Sequence, residues 1–255
     1  MAASTWLLGS RTIPASVVTV GATACNLAAG PYYLHSGTAA LSMITSLATA
    51  IVAGVGGTCT IQFQRDRKLR ITFNTSRAIT WTSTDLRDLL GFEGAGSSSA
   101  TTHTATLVSP LLWSPGYLAT PATIYEVDGY TVNHQSVFKS DDGSQIYCDH
   151  YGDETHQDLS WTHIVPARMR VDDGDDQGGT FHTFYQEVLR YRRRILWVAS
   201  VDESDASTDI ATVSSFRGPY AMREDFSGNW YRRNVPYAEV SSPLELPLMM
   251  PAEYA

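Results

Sequence analysis

The chain lacks every compact signature of metal, nucleotide or nucleophile chemistry. Its three cysteines, Cys25, Cys59 and Cys148, are odd in number and widely spaced with no CxxC, so neither a disulfide framework nor a zinc site is indicated. Reduced, buried thiols are the expectation. Seven histidines contain no HExxH or other compact ligand set, and no P-loop or GxGxxG occurs, so nucleotide binding has no support. There is no GxSxG, and Ser97, Ser98 and Ser99 lie in low-complexity sequence, away from any strand-to-helix turn. Paired carboxylates for glycoside hydrolysis converge only in space, and the sequence is silent on them. The residues therefore nominate no catalytic, cofactor-binding or metal-ligating side chain, and the chain is read as a non-enzyme. The basic-apolar-small order of a signal peptide is missing, and the longest apolar run is too interrupted to span a bilayer, so a cytosolic chain without a membrane partner is expected.

Charge is also scarce. Asp, Glu, Lys and Arg make up 17% of the residues and the formal net charge is −8, which argues against a protein that grips nucleic acid through its phosphates. The one basic cluster, Arg190, Arg192, Arg193 and Arg194, falls at the end of a predicted helix, where cations complement the dipole and bond free carbonyls. An acidic partner surface and nucleic acid are the alternatives for it.

What is present suits β structure: 43% apolar residues and a wealth of Thr, Ser, Ala and Gly. The 255 residues fit two domains of about 125 each, and the Pro-punctuated stretch around Pro110, Pro115 and Pro121 places the boundary near residue 120, giving domains 1–120 and 121–255. In the first, residues 13–34 read as two strands broken near Gly21 or Asn26. Apolar residues from Thr38 to Val52 recur at helical steps, with Ser36 as cap and Gly54 as stop. Thr58–Gln64 and Leu69–Phe73 read as a hairpin closed by a charged RDRK loop. Gly94–Thr102, GAGSSSATT, reads as a flexible loop or arm.

In the second domain, strands are expected at Ile124–Val132, Gln145–His150 and Leu159–Val165, with Asp141, Asp142 and Gly143 as a hairpin turn. A helix is expected over Phe181–Arg194 and a strand over Ile195–Val201. The tail from Tyr237 to Met250, limited by Pro243 and Pro247, suits a sheet edge or a docking segment. His150 and His156, near Asp149, Asp153 and Glu154, form a weak transition-metal candidate in a loop-like segment, against the reading of solvated turn residues. Asp172, Asp173, Asp175 and Asp176 around Gly174 supply carboxylate for calcium without the spacing of an EF-hand, so an exposed acidic turn is the reading and a bound cation the alternative. Of the aromatics Trp113, Tyr117, Tyr125, Tyr130, Trp161, Phe181, Phe184, Tyr185 and Trp197, most belong to the core, with Trp113 and Tyr117 the surface candidates.

The most completely specified stretch is AITWTSTDLRDLLGF, residues 78–92. Thr82 and Asp85 form a variant capping box, Trp81 and Leu86 a hydrophobic staple, and Gly91 with Phe92 a Schellman stop. This corner, followed by LLWSPG, resembles a pattern in structural proteins of tailed bacteriophages. The run FHTFYQEVLRYRRR, then ILWVAS and NWYRRNVPY, is likewise similar to phage tail-module sequence. The resemblance implies an α+β chain of two β-sandwich or barrel-like halves, each with a flanking helix, like tail tube, terminator and distal tail proteins. It implies a virion subunit, assembled in the host cytoplasm, that forms a homo-oligomeric ring with itself and neighbouring tail or baseplate proteins, with no cofactor and no specific nucleic-acid binding. A carbohydrate-binding receptor module and a head-neck connector or decoration protein are the alternatives.

Overall fold

The computed structural model describes residues 3–116, 130–139, 145–161, 168, 179–202, 209–210, 216–222 and 244–250. In chain order these form β1 (Ala3–Ile13), β2 (Ser16–Val20), β3 (Thr23–Leu27), β4 (Gly30–Tyr33), α1 (Met43–Val55), β5 (Cys59–Gln64), β6 (Lys68–Trp81), α2 (Thr84–Leu89), β7 (Gly96–Val108) and β8 (Leu112–Trp113). There follow β9 (Tyr130–Lys139), β10 (Gln145–Trp161), α3 (Phe181–Glu187), β11 (Ile195–Asp202), β12 (Asp209–Ile210), β13 (Phe216–Met222) and β14 (Leu244–Met250).

Two antiparallel sheets dominate, with few helices, in broad agreement with the expected α+β class. One sheet runs β4-β1-β11-β13-β14-β10-β9, with β8 also on β1; the other runs β12-β5-β6-β2-β3, with β7 also on β6. Both draw strands from either side of residue 120, so the stretches 1–120 and 121–255 do not fold as separate sheets: β1 pairs with β11, and β5 with β12. The physical reason lies in β1, which no sequence signal marked. Trp6, Leu7 and Leu8 are all fully buried, so both faces of this strand are covered and it reads as an apolar run without alternation. Such a strand needs neighbours on both sides, and it takes them from both ends of the chain. Trp6 meets Phe63 of β5 edge to face at 5.1 Å, which places core between the two sheets.

The predicted hairpin is present, Ile61 opposite Ile71, and Arg67 closes its turn in the left-handed region at φ 72°. The break at Gly21 is also present, between β2 and β3, with φ 62°. The first helix starts later than predicted. A 3-10 turn occupies Ala39–Leu41, and Ser42, not Ser36, is the N-cap, accepting from the Thr45 N–H at 3.3 Å. It ends at Gly56 instead of Gly54, which packs within the helix so closely that a Cβ would lie 2.9 Å from Cys25 Sγ. Met43, Ile44, Leu47 and Ile51 are its buried face.

The second predicted helix is shorter than Phe181–Arg194. It leaves α-geometry after Glu187, continues as a 3-10 turn over Leu189–Tyr191 and stops at Arg192 in the left-handed region. Packing sets this end: Val188 sits against Gly9 of β1, where a Cβ would approach Val188 Cγ2 to 2.4 Å. Arg193 donates to the Glu187 carbonyl, as expected of a cation at a helix end.

Two expectations for the C-terminal part change, and others fall outside the described residues. The runs Gln145–His150 and Leu159–Val165 belong, as far as Trp161, to one strand, so His150 and His156 lie on β10 and not in a loop; the ladder with β9 is irregular between Asp149 and Asp153. The Asp141-Asp142-Gly143 turn, Ile124 and the acidic Asp172–Asp176 segment lie outside the described residues, although Lys139 and Gln145 pair on either side of that turn. The described part of the tail, Leu244–Met250, is not an edge. β14 lies between β13 and β10, and Pro247 is accommodated because β13 pairs only beyond it, at Leu248 and Met249. Among the described residues no helix is long and apolar enough to cross a membrane.

Candidate functional site: an exposed ribbon and its corner

The strand-to-helix corner forms one residue later than the sequence suggests. α2 begins at Thr84 with Ser83 at the N-cap position, and no side chain bonds the helix start. The capping box of Thr82 and Asp85 is therefore absent. Ser83 Oγ is engaged elsewhere, accepting from the Val17 N–H of β2 at 2.8 Å. That bond fixes the corner to the sheet and outweighs a local cap. Trp81 packs on Phe92, with ring centroids 5.0 Å apart, and Leu86 is fully buried in the same core cluster.

The stop is as expected. Gly91 has φ 77°, its N–H donates to the Asp88 carbonyl, and the Phe92 N–H donates to the Arg87 carbonyl, the two bonds of a Schellman ending. Gly91 has a second duty. Its carbonyl accepts from the Leu107 N–H at 2.9 Å, and a Cβ there would lie 2.3 Å from the Leu107 oxygen. The corner thus clamps the C-terminal end of β7.

β7 itself contains the segment expected to be a flexible arm. Gly96–Thr102 is strand, paired with β6, and the reason is the partner: Thr and Ser tolerate a pleated ladder, while the absence of apolar residues hides its period from a sequence reading. The ribbon is broken three times. Four residues of β6, 73–76, face Thr101 alone, and two residues of β7, Ser98 and Ser99, face Ala78 alone. His103 fills this irregular stretch. It is buried, packs edge-on to Phe73 at 5.8 Å, and its Nε2 lies 2.9 Å from the Arg77 carbonyl oxygen. Its Nδ1 lies 2.6 Å from Ser97 Oγ, and Ser97 is exposed. The sequence reading set Ser97 aside because it lies in low-complexity sequence away from any strand-to-helix turn; its contact with His103, six residues on, forms across an irregular ladder that no local pattern marks.

Among the described residues β7 pairs with β6 alone, so its other edge carries no strand. From Gly94 to Val108 the chain has no Lys, Arg, Asp, Glu or Pro, the residues that commonly block edge pairing. Ser97, Ser98, Ser99, Thr101, Thr102, Thr104 and Thr106 are all exposed.

At the opposite end of β6, three arginines tie the hairpin to the C-terminal part. Arg65 pairs with Asp202 at 2.9 Å, Arg70 with Asp209 at 3.2 Å, and the buried Arg67 donates to the Gly179 carbonyl at 2.7 Å, next to the N-cap of α3. Near α1, burial pushes the Cys59 thiol up to about 12 and raises that of Cys25. His35, between Phe63 and Phe216 with Nδ1 3.0 Å from Ser42 Oγ, is lowered by burial.

The aromatic surface candidates do not form a groove. Trp113 is fully buried, because it packs edge-on to Phe181 at 5.1 Å and donates to the Arg168 carbonyl; Tyr117 and Tyr125 lie outside the described residues, and of Tyr130 and Trp161 only the backbone is described. Phe181, Phe184 and Trp197 are buried, and Tyr185 is half-buried. Tyr191, 60% exposed, lies beneath Arg193 at 4.8 Å. Among the described residues no three His, Cys, Asp or Glu side chains gather as metal ligands; of His150 and His156 only the backbone is described. No protein family, curated protein or solved structure matches the chain.

Proposed function

We propose that the protein is a structural subunit of a tailed-phage particle, a tail or baseplate component that assembles with copies of itself into a ring. One observation supports assembly most directly: a 13-residue strand, β7, whose second edge is unpaired among the described residues and which carries no Lys, Arg, Asp, Glu or Pro. A long edge of this kind accepts a strand from a neighbouring copy through backbone hydrogen bonds, which need no particular side chain. The second copy is the occupant we assign to it, because an uncharged Ser/Thr surface offers an acidic or basic partner nothing to recognise. The virion assignment rests on the likeness of residues 78–92 and 181–200 to phage structural sequence, and the net charge of −8 suits a lumen that must not hold passing DNA. The C-terminal strand is not the docking element, since it is committed to its own sheet.

Purification followed by negative-stain imaging tests this reading. Closed rings are expected, and a monomer that binds glycans would favour a receptor module in their place.

A further inference from the structure

We propose that Ser97 is a nucleophilic serine activated by His103, able to take an acyl group from small uncharged esters. The inference stands apart from assembly and rests on the geometry of the ribbon. The Arg77 carbonyl, 2.9 Å from Nε2, can only accept, so in the neutral ring Nε2 carries the proton and Nδ1 is a bare acceptor. Ser97 Oγ, 2.6 Å from Nδ1, is then the donor. Nucleophile, base and orienting group stand in series, the arrangement by which an unreactive hydroxyl becomes a nucleophile.

Exposure is divided in the useful way. His103 is 6% exposed and shielded by Phe73, so little water reaches Nδ1, while Ser97 faces solvent and an incoming carbonyl. The bulge, with Ser98 and Ser99 both opposite Ala78, lies directly beside Ser97. The Arg77 guanidinium is turned away, donating to the Val55 carbonyl, and β7 itself carries no carboxylate, lysine or arginine, which favours an uncharged acyl donor.

In the first step a bond forms between Ser97 Oγ and the acyl carbon, and the hydroxyl proton passes to His103 Nδ1. The ester C–O bond then breaks, and the leaving alkoxide takes that proton as the alcohol. Water attacks the acyl-serine by the same route, its proton passing through Nδ1 to Ser97 Oγ as the carboxylic acid leaves. No oxidant, reductant or metal is needed.

The full chain, treated with a fluorophosphonate and separately with p-nitrophenyl acetate, gives a direct test by peptide mass mapping. Ser98 and Ser99 are internal controls within the native fold, which matters because His103 also fills the bulge. Modification is expected at Ser97 in clear excess over Ser98 and Ser99, lost in Ser97→Ala, kept in Ser98→Ala, and slowed about a hundredfold at Ser97 in His103→Gln. Equal modification of the three serines, no modification of the native chain, or an unchanged rate in His103→Gln would overturn the proposal.

Discussion

Trp81 and Phe92 stack across the α2 corner with ring centroids 5.0 Å apart and planes inclined at 36°. The contact joins the last residue of β6 to the residue just past the Schellman glycine, so the helix between them is held by both its ends. Both rings are buried, and the corner is therefore part of the core as well as a turn.

Gly91 is the sensitive point of that corner. Its φ of 77° and the 2.3 Å approach of a Cβ to the Leu107 oxygen act together, so Gly91→Ala is expected to cost about 2 kcal/mol or more. Gly94 has a similar φ of 74° with nothing within 4 Å of a Cβ, so Gly94→Ala is expected to cost only the backbone term, about 1 kcal/mol. Denaturant melts of the two variants measure the difference; equal losses would mean that β7 is not clamped there.

Cys59 is expected to resist alkylation. With its thiol pushed up to about 12, only on the order of one molecule in ten thousand carries the thiolate near pH 8. Iodoacetamide followed by peptide mapping should modify Cys59 readily in denaturant and very slowly in the native chain. Fast native labelling would contradict the raised thiol assigned to this half-buried cysteine beside α1.

His35 gives the fold an acid sensitivity. Burial lowers its folded pKa below the ordinary value of about 6.5, so its contribution to stability is present above that value and is lost as pH falls through the folded pKa. Melting temperature should fall from about pH 8 to about pH 5, and His35→Gln should fall less steeply over the same range. Parallel curves for the two proteins would show that other groups set the slope.

Legibility in the sequence followed the range of the interactions. The hairpin from Cys59 to Phe73 was readable because alternation and its turn are local. The corner was readable but displaced by one residue, because Ser83 is claimed by Val17, 66 positions away. β1 was hidden by burial on both faces, and β7 by a Ser/Thr composition whose pairing with β6 alone makes it a strand. Trp113 looked exposed among prolines, and the partners that bury it, Phe181 and Arg168, come from far along the chain. The Ser97–His103 pair depends on a bulge, a feature of two strands that neither announces alone.

Assembly is assigned to the edge of β7 that is unpaired among the described residues, and the most direct measurement is the mass in solution of the full chain beside that of a variant with Thr101→Lys and Thr102→Lys. Both side chains are exposed, so the fold should tolerate the change, and two charges on the edge should block strand addition. By light scattering coupled to size exclusion, the unmodified chain is expected as a closed oligomer and the variant as a monomer with the same melting temperature. An unmodified chain that stays monomeric at its highest soluble concentration, or a variant that assembles as well as its parent, would contradict it.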